Sequence, residues 1–142
     1  MIIREAKEED YPKFIDIRKN DGFEHAHELT HGWIHMMQQR GDKFFAAEDS
    51  EVKGFAIVKL DEKAKLHMIA VQEEFQGQGI GKLLVEKCEQ EARDKGKKEM
   101  WLYVHETNQA LGFYKKLGYN VKKAEPNFYG KGKNALMMSR IL

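Results

Sequence analysis

With 142 residues, 42% hydrophobic and 11% aromatic, the chain carries enough apolar surface for one packed core and is expected to form a single domain over 1–142. Its 24 Lys and Arg nearly balance 23 Asp and Glu, so the formal charge of +1 argues against a nucleic-acid or anionic-membrane partner. The lone cysteine, Cys88, excludes an internal disulfide and any multi-cysteine metal site, and no apolar run approaches the ~18 residues of a membrane span.

The first residues, Met1-Ile2-Ile3-Arg4-Glu5, lack the apolar core of a signal peptide. A soluble cytoplasmic protein is expected, monomeric or homodimeric. Residues 1–5 read as an edge strand. Glu9 or Asp10 can cap a helix with Pro12 in its first turn and Phe14, Ile15 and Ile17 among its apolar residues. Residues 23–40 read as an irregular helical stretch with four histidines, ended by Gly41-Asp42. Lys43–Glu48 and Val52–Leu60 flank Asp49-Ser50-Glu51 as a hairpin, and 65–71 is the next strand.

A helix from about residue 79 to 95 puts Ile80, Leu83, Leu84, Cys88 and Ala92 on one face, which makes Cys88 a buried structural thiol. Met100–Val104 reads as a short buried strand, and 107–117 as a helix closing at Leu117-Gly118. Tyr119–Lys123 and Ala135–Ile141 are the last strands, joined by a loop holding Phe128-Tyr129-Gly130. The order β-α-α-β-β-β-α-β-α-β-β predicts an α/β (α+β) fold, a mixed sheet with helices on both faces.

The segment Leu66 to Cys88 carries the chemistry. An apolar strand, Leu66-His67-Met68-Ile69-Ala70-Val71, leads through a polar loop into Gln76-Gly77-Gln78-Gly79-Ile80-Gly81-Lys82 at the start of a helix. A glycine turn there bares backbone N–H groups at the positive end of the helix dipole, a site for a pyrophosphate. A dinucleotide fingerprint fails, because its third glycine falls on Lys82. A P-loop fails twice, at Gln76 and at Leu83.

What fits is Q/R-x-x-G-x-G/A, written Gln76-Gly77-Gln78-Gly79-Ile80-Gly81. It resembles the acetyl-CoA signature of the GNAT (Gcn5-related) N-acetyltransferases. Downstream, Trp101-Leu102-Tyr103-Val104, Asn108, Ala110 and Phe113-Tyr114-Lys115-Lys116-Leu117-Gly118-Tyr119 are similar to the second half of that family. The Tyr119–Leu142 end resembles the protein α-amino acetyltransferases, of the ribosomal-protein-alanine type.

The resemblance implies a mostly antiparallel sheet of six to seven strands, splayed at the acetyl-CoA site. It implies acetyl transfer from acetyl-CoA, as co-substrate, to a primary amine by direct attack. The acceptor is a small amine or a peptide N-terminus. Backbone donors from Gln76 through Gly77, Gln78, Gly79, Gly81 and Lys82 would cradle the pyrophosphate. The backbone of Ile69, Ala70 and Val71 would pair with the pantetheine arm, and the Ile69 N–H would meet the thioester oxygen. Tyr114 matches the tyrosine that protonates the departing thiolate; a phenol of pKa ~10 holds its proton at neutral pH.

Two places depart from the family pattern. Asn108-Gln109-Ala110 is one residue short of N-x-x-A, so either Asn108 or Thr107 would contact the pantetheine. Where the protein α-amino acetyltransferases carry a strand acid or histidine, this chain has Tyr103. The base is then His67, on the cofactor strand, or His105, Glu106 or water. Tyr129 corresponds to a loop tyrosine that helps hold a peptide N-terminus.

Two other readings compete. His27-Glu28-x-x-His31 has the spacing by which two helical histidines share one zinc while Glu activates water, with Glu51 as a conceivable third ligand, the mark of a small zinc hydrolase. The bland alternative, with no metal, puts these histidines at the acceptor entrance or in solvent. A catalytically silent CoA-binding module is the third class.

Overall fold

A computed structural model describes residues 1–19 and 29–142. Its elements are β1 (Ile2–Glu5), α1 (Tyr11–Lys19), α2 (His31–Gln39), β2 (Lys43–Asp49), β3 (Glu51–Leu60), β4 (Ala64–Val71), α3 (Ile80–Asp94), β5 (Glu99–His105), α4 (Ala110–Lys116), β6 (Asn120–Glu125) and β7 (Ala135–Ile141). This order agrees, element for element, with the one expected from the sequence. Short 3-10 turns at Glu8–Asp10 and Glu73–Phe75 precede α1 and the glycine loop.

The described strands form one seven-stranded sheet in the order β1-β2-β3-β4-β5-β7-β6. Every neighbouring pair is antiparallel except β4 and β5. Those two run parallel and pair only at Ala64↔Met100 and Lys65↔Trp101. Beyond that point the strands part. From Leu66 onward β4 has β3 along one edge and no ladder partner along the other.

Helices cover both faces. On one, Leu84, Cys88 and Ala92 of α3 pack on Phe45, Ala56, Leu66 and Leu102. On the other, Phe14 and Ile17 of α1 and Ile34 and Met37 of α2 pack on Phe44, Phe55 and Ile57. Ile80, Leu84, Cys88 and Ala92, four residues apart, form the buried stripe of α3. Leu83, expected on that stripe, lies past its edge and is 40% exposed. Cys88 is fully buried, and burial pushes its thiol pKa well above the ordinary range, as expected of a structural thiol.

Helix starts differ from expectation where side chains compete for the backbone. Described residues of the 23–40 stretch become helical only at His31. Thr30 is extended, and its Oγ1 accepts the Trp33 N–H at 3.2 Å. α4 begins at Ala110 rather than 107, because Asn108 Oδ1 takes the Ala110 N–H at 2.8 Å. Asp10 does cap at the first helix, but through the preceding turn: its carboxylate accepts the Lys7 N–H at 2.7 Å.

Candidate active site

Where β4 and β5 part, a cavity of about 600 Å³ opens. His67, Ile69, Ala70, Val71, Gln76, Asn108 and Tyr114 line it, drawn from β4, the glycine loop and α4. Those residues are spread from position 67 to position 114 of the sequence, and the splay brings them to one place. Gly77, Gln78, Gly79, Gly81 and Lys82 lie outside the cavity wall, on the loop that continues from Gln76 into α3.

The loop geometry follows from its glycines. Gly77 and Gly79 sit at φ of +80° and +85°, in the left-handed region that favours glycine. Gly79 is the residue before α3, so the chain reverses there and enters the helix. The N–H groups of Gly77 through Lys82 make no hydrogen bond to another described residue. Gln76 is different. Its N–H donates to the Glu73 carbonyl at 3.2 Å and its side chain to the Val71 carbonyl at 3.0 Å, which ties the loop to the end of β4. Its own amide is therefore already engaged, and the open donors begin at Gly77. Unpartnered N–H groups at a helix start and a strand edge without a ladder partner suit an extended ligand with amides at one end and phosphates at the other.

Tyr114 is enclosed on α4. Its ring meets Tyr119 edge-on, centroids 6.0 Å apart, and its carbonyl accepts the Tyr119 N–H at 3.1 Å. Burial, then the nearby Cys88 and Tyr129, push its phenol pKa well above the ordinary range. The group stays protonated through neutral pH and has a proton to give there.

His67 owes its position to a β-bulge. Ile57 pairs with Met68 and Val58 with Leu66, leaving His67 as the extra residue of β4. Its ring lies 5.9 Å from that of Trp33 on α2, and both line the cavity. Of the two pantetheine candidates, Asn108 lines the cavity, while Thr107 bonds through its N–H and Oγ1 to His105 Nδ1, at 3.1 and 2.8 Å. His105 stacks on Tyr129 at 5.6 Å and lies off the cavity wall, as does Glu106, which accepts from the Asn134 side chain at 3.3 Å.

Sequence reasoning passed over part of the site. Trp33, Lys65 and Phe128 line the same cavity. Phe128 stacks on Tyr103 at 4.6 Å, while Lys65 Nζ lies 4.7 Å from the Tyr103 ring centroid. A lysine opening an apolar strand was the available signal for Lys65.

A family model for the acetyltransferase (GNAT) domain matches residues 7–142. The chain belongs to the GNAT family. A ribosomal protein bS18-alanine N-acetyltransferase of Haemophilus influenzae is 31% identical over 147 residues, covering 97% of this chain and 97% of that protein. The similarly named enzyme of Escherichia coli K12 is 36% identical over 89 residues, 61% of this chain and 60% of that protein. Among solved structures, a ribosomal-protein-alanine N-acetyltransferase of Brucella melitensis matches with a TM-score of 0.84 at 22% identity over 100% of both chains. An aminoglycoside 6'-N-acetyltransferase complexed with coenzyme A gives 0.87 at 20% identity, covering 99% of this chain and 97% of its own. These structures establish the fold.

As a GNAT enzyme the chain is an acetyl-CoA-dependent N-acetyltransferase. Nothing favours the zinc-hydrolase alternative. His25, His27 and Glu28 lie outside the described residues, and no group of three potential ligands occurs among the described ones. His31 is engaged with Glu8 at 3.1 Å and, edge-on, with the Tyr11 ring at 5.0 Å. No described helix is long and apolar enough to cross a membrane.

Proposed function

We propose that residues 1–142 act in the cytoplasm as a single GNAT domain that acetylates the α-amino group of a protein N-terminus. The observation that supports the acceptor class is the likeness, over 97% of both chains, to an enzyme named as a ribosomal protein bS18-alanine N-acetyltransferase. The aromatic wall of the cavity, where Phe128 stacks on Tyr103 and Tyr129 on His105 behind it, supports an acceptor longer than a small amine.

In this reading the chain's residues divide the work. Backbone donors from Gly77 to Lys82 hold the pyrophosphate of acetyl-CoA, with Lys82 adding charge and Gln76 bracing the loop. The edge of β4 at Ile69, Ala70 and Val71 pairs with the pantetheine arm, and Asn108 contacts it from the other wall. The Ile69 N–H steadies the charge that grows on the thioester oxygen. His67, directly or through water, takes the proton that the acceptor amine sheds. The amine nitrogen bonds to the acetyl carbon, the carbon–sulfur bond breaks, and Tyr114 delivers its proton to the sulfur. Tyr129, on the cavity wall, helps orient the acceptor.

Thiol release from acetyl-CoA with matched peptides tests the acceptor class. A peptide with a free α-amine is expected to turn over, and the same peptide blocked at its N-terminus but carrying an internal lysine is not. Turnover of polyamines, aminoglycosides or lysine side chains in place of the free N-terminus overturns the proposal.

A further inference from the structure

Lys65 breaks two rules of strand construction. It stands directly opposite Lys59 in the β3–β4 ladder, and like charges facing across strands are destabilising. It is also half-buried, at the foot of the splay. Burial first, and then the charge of Lys59, lower its pKa from the ordinary lysine value. Asp42 lies within the electrostatic reach of Lys59, but no described carboxylate pairs with Lys65. Its ammonium lies over the face of Tyr103, whose ring also stacks on Phe128. No Asp or Glu is among the described residues that line the cavity.

A half-buried cation that costs stability and faces a ligand cavity is the kind of local inconsistency that functional sites carry. We infer that Lys65 selects the acceptor, binding a carboxylate side chain, Asp or Glu, at the second or third residue of the substrate peptide, beside the Tyr103–Phe128 stack. The inference rests on the reading of the acceptor as a protein N-terminus. The register supports the position. Lys65 and His67 both line the cavity and stand two residues apart on β4, about 7 Å, which is the span of about two residues of extended peptide.

The test compares kcat/KM for peptides that differ only in Glu, Gln or Lys at the second and third residues. The wild-type chain is expected to prefer Glu over Gln on the order of tenfold, the size of effect a partly desolvated charge pair supports. Lys65→Met should collapse the ratio toward one, Lys65→Glu should invert it in favour of Lys, and Lys65→Arg should keep it. Should the Met and Glu variants fail to fold, the wild-type Glu preference must still shrink as NaCl is raised. A wild-type ratio near one, or a preference that survives Lys65→Met or high salt, overturns the assignment. Free glutamate separates the two readings. If glutamate turns over in a Lys65-dependent way and no peptide does, the carboxylate site stands and the protein-acceptor reading falls. If peptides turn over without regard to these residues, the protein-acceptor reading stands and the Lys65 site falls.

Discussion

Tyr119 donates its hydroxyl hydrogen to Glu89 across 2.7 Å in the middle of the core, where Tyr119 is 1% and Glu89 2% exposed. Arg140 closes the arrangement from β7, with one Nη at 2.9 Å from both Glu89 oxygens. A buried carboxylate is tolerated because each oxygen has a charged or phenolic donor. Removing a donor leaves it exposed to the full desolvation cost. Tyr119→Phe is expected to cost about 1.5 kcal/mol. Arg140→Met should cost more, about 3 kcal/mol. Urea midpoints give the order; equal losses, or none, would show that Glu89 is solvated in another way.

The Tyr114 hydroxyl is the second target. Tyr114→Phe should lower kcat by roughly 10²-fold while KM for acetyl-CoA changes little. The raised phenol pKa sets the sign of the pH dependence. An acid that holds its proton past the ordinary phenol value keeps working there, so no alkaline fall in kcat from this group is expected below about pH 10. An unchanged kcat in the variant assigns the proton donor elsewhere.

Gly79 offers a test of the loop by itself. Nothing lies within 4 Å of a Cβ built there, so a side chain has room and only the backbone angle resists it. Gly79→Ala should cost about 1 kcal/mol in the left-handed region. The same change is expected to weaken CoA binding in calorimetry, since the donors of the loop are set by that angle. A loss of stability with intact affinity would detach the loop from the cofactor.

The Arg4–Asp10 pair predicts acid behaviour. Burial works to raise the Asp10 pKa, but hydrogen bonds from Arg4 at 2.8 and 2.9 Å and from the Lys7 N–H outweigh it and hold the carboxyl below the ordinary range. A depressed carboxyl stabilises the fold above its unfolded pKa of about 3.9, and that stability fades as pH falls through the lower folded value. Asp10→Asn should therefore flatten the loss of melting temperature below about pH 4. An acid limb identical to wild type would place the effect in other carboxylates.

Much of this was legible along the chain. Apolar periodicity places α3, and the run Gln76 to Lys82 marks the loop. Side chains that bond to nearby backbone were not legible. Asn108 shortens α4 by taking the Ala110 N–H, and Thr30 delays α2 by capping Trp33. Periodicity counts apolar positions and is blind to that competition. His67 stood out as a histidine on the right strand, but the bulge that seats it depends on register against β3. Lys65 gives only a weak signal in the sequence, because a lysine at a strand end usually reaches water.

The sheet is, in effect, two half-sheets latched at Ala64↔Met100 and Lys65↔Trp101. Beyond the latch the inner backbone edges are a seam without a third strand to close it. A molecule that fills the seam binds only the assembled halves, so its concentration enters the folding equilibrium as a mass-action factor. In the proposed binding mode acetyl-CoA is that molecule, so the melting temperature of the chain is expected to rise with acetyl-CoA concentration.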